Sequence, residues 1–169
     1  MRRARLVLSA ALAVLIPVHA AAQERPAPTV DLSAGWAAFA DDSWIHHRTA
    51  AGSVRFYVTP RFSVGPEVTY MIGPGTDRDL FVLGNAAYEW PVLIQDGSPR
   101  VVPYVIGGWG YFRHRSQFGA FIWHGTAYAG GPGLRVRVTD RIFVAAELRF
   151  GSELDVRMIG VVSWRLGSS

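Results

Sequence analysis

The stretch that decides the fold is Leu134–Phe150, LRVRVTDRIFVAAELRF, in which apolar and charged side chains alternate. One face carries Leu134, Val136, Val138, Ile142, Val144, Ala146, Leu148 and Phe150, and the other carries Arg135, Arg137, Phe143, Ala145, Glu147 and Arg149. Because successive side chains of a strand point to opposite faces, this pattern predicts a β-hairpin that turns at Thr139-Asp140-Arg141. We expect its apolar wall to face lipid and its charged wall to face the interior of a closed barrel.

The same alternation recurs along the rest of the chain. It predicts eight strands, over residues 30–40, 50–59, 61–72, 80–90, 101–112, 121–138, 142–150 and 155–166. Each is close to the length that a tilted strand needs to cross a bilayer. Tight turns follow the second and sixth strands, whereas longer polar loops occupy 41–49, 73–79 and 113–120. Short periplasmic turns and longer external loops are typical of a transmembrane β-barrel.

Two features of the predicted strands depart from a regular ladder. Pro66, Pro103 and Pro132 lie inside strands, where each removes a backbone donor. We therefore expect β-bulges, above all in Gly130–Gly133. In the strand over 101–112 neither alternate set of side chains is polar, so the pattern does not decide which set points into the barrel.

The ends of the chain differ from the barrel in composition. Residues 1–22 have the basic start, apolar stretch and small residues of a cleaved signal peptide, which predicts export to the outer membrane. Residues 23–29 form a short lead, 30–166 the barrel and 167–169 a tail. Without the signal peptide, 14 Arg face 13 acidic residues, so nothing supports nucleic-acid binding. The chain has no Cys, which excludes disulfides and thiolate metal sites.

Alternation alone also fits a soluble periplasmic lipid-binding barrel, with its apolar wall inside. Two observations favour a barrel whose apolar wall faces outward into lipid. The polar wall is sparsely charged and the chain has no Lys, unlike a water-exposed surface. Apolar-wall aromatics also gather near strand ends, as in the interfacial belts of membrane proteins. They are Phe62, Tyr88, Trp90, Tyr104 and Trp164 at the periplasmic end, and Trp36, Tyr70, Phe121, Trp123 and Phe150 at the external end.

The charged wall places ionisable side chains in the barrel interior. They are Asp31, Arg55, Glu67, Glu89, Arg135, Arg137, Glu147, Arg149, Arg157 and Arg165. Confined charges must pair or be hydrated, and eight strands leave room for little more than side chains. We therefore hypothesise that Glu67, Glu89 and Glu147 bridge to these arginines and plug the barrel.

Three segments resemble a known family. GPGLRVRVTDRIFVAAELRFG (131–151), IGVVSWRL (159–166) and PYVIGGWGYF (103–112) are similar to strands of the small outer-membrane barrels of the outer membrane protein A and X type. The resemblance implies an all-β, antiparallel up-and-down barrel, monomeric, with outer-membrane lipids and the barrel-assembly machinery as partners. The family's closing strand commonly ends on an aromatic residue that this machinery reads, whereas here Leu166 is followed by Gly167–Ser169.

We interpret the protein as structural, adhesive or surface-interacting through external loops of unknown ligand, without catalysis or cofactor. The alternative is a lipid A-modifying enzyme, since some barrels of this kind resemble deacylases or acyltransferases that use a His with a Ser. His124 and Thr126 share a face of the sixth strand, and Glu147 lies on the next strand. The hairpin register, however, sets Glu147 opposite Gly133, roughly 30 Å along the strand from His124.

A second group of histidines lies in the predicted external loops. His46 and His47 accompany Asp41 and Asp42, and His114 lies in another loop. Adjacent histidines point apart, and these loops lack the fixed spacing of a metal-ligand motif. We interpret all five residues as solvated and predict no metal site.

Overall fold

The structure, a computed structural model, describes residues 25–40, 44–95, 98–115 and 122–167. The predicted signal peptide, together with Phe121, Asp41, Asp42 and the end of the tail, lies outside these residues. The strands are β1 (Thr29–Phe39), β2 (Ile45–Tyr57), β3 (Phe62–Ile72), β4 (Arg78–Glu89), β5 (Leu93–Gln95), β6 (Ser98–Arg115), β7 (Ile122–Arg137), β8 (Ile142–Gly151) and β9 (Asp155–Arg165). A 3-10 turn, Ser152–Leu154, joins β8 to β9. Over the ranges described, no helix has the length and apolar character to cross a membrane.

The long strands close into one barrel. Each pairs antiparallel with its neighbours in sequence, β4 pairs with β6, and β9 returns to pair with β1 over the whole of both strands. The short strand β5 pairs only with the start of β6. The predicted eight-stranded antiparallel up-and-down barrel is therefore confirmed. The start of β1 and the end of β9 lie at the same end of the barrel as the tight turns. This end is called the periplasmic end, and the opposite one the external end.

Two hairpins at the periplasmic end are fixed by the same turn. The hydroxyl of Thr59 accepts a hydrogen bond from the backbone N–H of Phe62 at 2.9 Å, and the hydroxyl of Thr139 accepts one from Ile142 at 3.0 Å. Each threonine thus holds its own turn closed, as short polar side chains do at turns. The register of the second hairpin places Glu147 opposite Gly133, which confirms the predicted pairing.

The prolines do not shift the register, and the expectation of bulges was wrong. Pairing between β6 and β7 is continuous through Pro103 and Pro132, and pairing between β3 and β4 is continuous through Pro66. A glycine precedes two of these prolines. A Cβ on Gly65 would lie 1.7 Å, and one on Gly131 2.0 Å, from a carbonyl oxygen of the neighbouring strand. The missing side chain lets the strands stay close where the proline donates no hydrogen bond.

The two walls of the barrel differ in chemistry. Leu32 and Val162 are 68% and 54% exposed on the outside, whereas Arg135 and Glu147 are buried within. The inward face of β6, which the sequence pattern leaves open, carries Val102, Tyr104, Ile106 and Phe112. A soluble lipid-binding barrel needs an apolar lumen, so this charged interior excludes that alternative.

Candidate functional site

The periplasmic third of the barrel interior contains one ion pair and a tyrosine that hydrogen-bonds to both of its members. Arg135 donates to the Glu89 carboxylate at 2.6 Å and to the Tyr57 hydroxyl at 2.7 Å. The Tyr57 hydroxyl also donates to Glu89 at 3.2 Å. Each member of the triad therefore contacts the other two, and all three side chains are buried.

Glu147 is the centre of the next layer. Its carboxylate lies 3.3 Å from Arg55 and 2.6 Å from Arg149, and it accepts a hydrogen bond from the Tyr104 hydroxyl. Arg55 also pairs with Asp31 at 2.6 Å. Two arginines thus share one glutamate, and each has a second carboxylate of its own.

Glu67 supplies the second carboxylate for Arg149, at 2.8 Å. It also accepts hydrogen bonds from Asn85 at 2.9 Å and from Thr69 at 3.0 Å. The central ion-pair network is defined here as Asp31, Arg55, Tyr57, Glu67, Glu89, Tyr104, Arg135, Glu147 and Arg149. Its charged members come from β1, β2, β3, β4, β7 and β8, so the network ties most of the barrel wall together.

Above this network lies an apolar layer, formed by Ala37, Phe39, Met71, Phe81, Leu83, Phe112, Ala127 and Ala129. Arg157, predicted to belong to the same network as Arg55, lies instead beside the apolar layer. Its guanidinium pairs with Asp155 at 2.6 Å, is 0% exposed, and lies 4.2 Å from the centre of the Phe81 ring. Asp155 was missed because it was taken as the first residue after a loop.

The external mouth of the lumen holds a further group of titratable side chains. His47 Nε2 lies 3.1 Å from Asp77 and 3.2 Å from Asp79, and His114 Nδ1 lies 2.7 Å from Asp79. His47, Asp77 and Asp79 are buried, whereas the His114 side chain is partly exposed. Burial raises the pKa of the Asp77 carboxyl, in the turn before β4, above its ordinary value, although the His47 imidazole acts in the opposite direction. These four residues are the mouth cluster.

The interpretation of His47 and His114 as solvated loop residues was wrong. Strand β2 begins at Ile45, so His46 points out against the Trp36 ring while His47 points in. The sequence did contain a sign that both side chains point inward. His47 is an even number of residues from inward-facing Arg55 on the same strand, and Asp79 is an even number of residues from inward-facing Glu89. It could be read only if the strands were extended beyond their predicted ends.

The predicted interfacial aromatics divide into two groups. Trp36, Tyr70, Tyr88, Trp90 and Trp164 are exposed on the outer wall. Trp123 has the inward parity of Ala127, and its ring meets that of Phe112 edge-on at 5.5 Å. It was placed on the apolar wall, whereas its position opposite His114 sets it on the lumen side at the external mouth, where it is 43% exposed. Tyr104 likewise lies inside.

The side chains considered for catalysis are not brought together. His124 and Thr126 are exposed and point outward at the external end of β7. Glu147 is inside, surrounded by the arginines and the tyrosine of the central ion-pair network. The barrel wall therefore separates the imidazole from the carboxylate.

Arginines mark the outer surface at the external end. Arg48, Ile72, Arg78 and Arg115 form one row across four neighbouring strands. At the typical strand spacing this row is about 15 Å wide. Arg113 lies two residues below Arg115 and is also exposed. Arg48, Arg78, Arg113 and Arg115 are the arginine rim, which lies beside the external aromatic residue Trp36.

Comparison with known proteins gives one family and several solved structures of similar fold. Residues 8–159 match the outer membrane protein beta-barrel domain family. The N-terminal β-barrel domain of Pseudomonas aeruginosa OprF is 16% identical with a TM-score of 0.63, over 85% of this chain and 100% of that one. Neisserial surface protein A is 12% identical with a TM-score of 0.63, over 82% of this chain and 96% of that one. Ail, the attachment invasion locus protein of Yersinia pestis, is 11% identical with a TM-score of 0.58, over 83% of this chain and 98% of that one. No curated protein matches the chain.

Proposed function

The chain belongs to the outer membrane protein β-barrel family, and from that premise we propose that it is a non-catalytic outer-membrane protein with a structural and surface-interaction role. The barrel is the rigid support, and its external end makes the contacts with other molecules. The observation that carries this proposal is the filled interior. It leaves the outside of the barrel, its external loops and its external mouth for interaction.

The filled interior argues against a pore. The central ion-pair network and the apolar layer follow each other along the lumen, and each joins side chains from opposite walls. A cavity beside Arg55 and Asn85 has a volume of about 10 Å³. That volume is at the lower limit for a single water molecule. We expect no stable ion conductance when the protein is reconstituted into planar bilayers.

The arrangement of ionisable groups argues against catalysis. A general base must lie within hydrogen-bonding reach of its nucleophile or of the group that orients it. Glu147 is engaged inside the barrel, and His124 lies outside it. We expect His124→Ala and the unchanged protein, each overexpressed, to leave cellular lipid A with the same acylation pattern. A changed pattern that depends on His124 would favour the enzyme instead.

The arginine rim supports a surface interaction with anionic groups. A cation beside an anionic lipid surface contributes on the order of 1 kcal/mol, and guanidinium groups bind phosphate in bidentate fashion. The rim lies beside Trp36 at the external end, where we expect outer-leaflet headgroups to meet the barrel. We therefore propose that it holds the phosphates of outer-leaflet lipid, in a monomer inserted by the barrel-assembly machinery.

A matched pair of variants tests this role. One carries Arg48→Gln and Arg115→Gln, and the control carries Arg61→Gln and Arg141→Gln in the periplasmic turns, so that each loses two positive charges. Lipopolysaccharide retained per protein after mild detergent extraction should fall several-fold in the first and stay unchanged in the control. Equal retention by the rim variant and the unchanged protein would contradict the proposal.

A further inference from the structure

We propose that the mouth cluster is a binding site for a divalent transition-metal ion, with zinc as its probe. His47, Asp77 and Asp79 supply the ligand atoms, one from each residue, and these atoms all lie within 4.8 Å of one another. His114 is a positioning residue, since its Nδ1 holds the Asp79 carboxylate at 2.7 Å. The ion would join β2 to the start of β4 at the external mouth.

The distances between the ligand atoms suit a shared ion. Zinc is held by imidazole nitrogen and carboxylate oxygen at about 2.0–2.2 Å, which in a tetrahedral site separates neighbouring ligand atoms by roughly 3.3–3.6 Å. Nε2 of His47 lies 3.1 and 3.2 Å from the two Oδ2 atoms. Small displacements of buried side chains would complete this geometry.

His47 also lacks the hydrogen bonds that a buried imidazole normally makes. Its side chain is 3% exposed, and Nδ1 has no hydrogen-bond partner among the described residues. Nε2 faces the Asp77 and Asp79 carboxylates at 3.1 and 3.2 Å without a well-aligned hydrogen bond to either. The Asp77 Oδ1 atom is likewise buried without one. Buried polar atoms left in this way cost free energy unless something else binds them. A cation between Nε2 and the two carboxylates would use those lone pairs.

Charge balance separates this cluster from the rest of the interior. In the described part of the chain, the buried carboxylates Asp31, Glu67, Glu89, Glu147 and Asp155 each pair with an arginine. The ion-pair partners of Asp77 and Asp79 are instead imidazoles. With neutral imidazoles the mouth cluster carries two negative charges, which one divalent ion neutralises.

Gly73 packs closely against the ligand atoms. A Cβ at this position would lie 2.4 Å from His47 Nε2 and 2.7 Å from Asp77 Oδ2. Any larger residue would therefore occupy the volume next to the donors. The His114 side chain, which is 24% exposed, is the member of the mouth cluster that solvent reaches.

The donor set selects the class of metal. Calcium and magnesium prefer oxygen ligands alone, whereas imidazole favours zinc and other first-row transition metals. One imidazole with two carboxylates leaves a coordination position for water, as in open zinc sites. We therefore expect zinc to bind and calcium to bind far more weakly.

The test uses the protein extracted into detergent and stripped of metal with a chelator. Zinc chloride is titrated by calorimetry, and bound metal is counted by elemental analysis. We expect one zinc per chain and a rise of about 5–10 °C in the unfolding temperature at a hundredfold excess over Kd. Asp79→Asn, which is nearly isosteric, and His47→Ala should each weaken zinc binding at least tenfold.

His46→Ala is the matched control, because His46 is the adjacent histidine but points outward. It should bind zinc like the unchanged protein. Heat-modifiable migration on a gel reports whether each variant folds, and Asp79→Asn decides the test if His47→Ala does not. The proposal is overturned if the unchanged protein binds no zinc, if Asp79→Asn binds it equally well, or if calcium binds as tightly as zinc.

Discussion

Glu147 offers the sharpest test of the central ion-pair network. The substitution Glu147→Gln keeps the shape of the side chain and removes its charge. It would leave Arg55, at 3.3 Å, and Arg149, at 2.6 Å, without the carboxylate that they share. Breaking a buried ion pair costs about 3–5 kcal/mol, because the remaining charge is left uncompensated.

The expected cost lies at the lower end of that range. Arg55 keeps Asp31 at 2.6 Å, and Arg149 keeps Glu67 at 2.8 Å, so neither guanidinium loses its only partner. We expect the free energy of unfolding to fall by about 3 kcal/mol, or more than a hundredfold in the ratio of folded to unfolded protein. Urea titration of the protein in lipid vesicles, followed by tryptophan fluorescence, measures this change.

A surface pair provides the control. Asp140 lies 3.5 Å from Arg137 in a periplasmic turn, and its side chain is 94% exposed. Such pairs contribute little, so Asp140→Asn should unfold at the same urea concentration as the unchanged protein. If Glu147→Gln were as stable as Asp140→Asn, the network would not stabilise the barrel and the reasoning would be refuted.

Three further predictions concern the wall and the lumen. Gly65→Val should prevent folding, because its Cβ would lie 1.7 Å from the Val54 carbonyl oxygen, and the heat-modifiable band on a gel should be lost; a normal folded band would contradict the close approach of β2 and β3. Val162→Arg should lower the free energy of unfolding in vesicles by about 2–4 kcal/mol, since it sets a cation against hydrocarbon, and no loss would argue that this wall is not in lipid. Planar bilayers containing the protein should show no stable conductance steps, whereas regular single-channel openings would contradict a filled lumen.

Much of the barrel could be predicted from the period of the sequence. Leu134–Phe150 predicted one hairpin correctly because a tight turn fixes the register, and the register fixes which wall each side chain joins. The pairing of Glu147 with Gly133 therefore follows from the amino-acid pattern alone. Which face of β6 points inward could not be predicted in this way. Its inward positions carry Val102, Tyr104, Ile106 and Phe112, which are apolar or aromatic like their outward neighbours.

The two errors in assigning side chains to a wall have different physical causes. Trp123 was placed on the apolar wall for its position near a strand end, but the ladder runs without a shift from Ala127 to Trp123, so its ring contacts Phe112 on the lumen side. At the external end the strands continue beyond the alternating apolar residues. His47 and Asp79 were therefore taken as loop residues, and their meeting across two strands could not be seen.

A nitroxide scan of β9 shows which wall of the barrel faces lipid. Because the chain has no native Cys, single Cys substitutions from Met158 to Trp164 can each carry a spin label in lipid vesicles. Accessibility to oxygen, which concentrates in the hydrocarbon core, should alternate along the strand. The account predicts maxima at Met158, Gly160, Val162 and Trp164 and minima at Ile159, Val161 and Ser163. The opposite phase, or a profile without alternation, would contradict a barrel with its apolar wall in lipid and its charges inside.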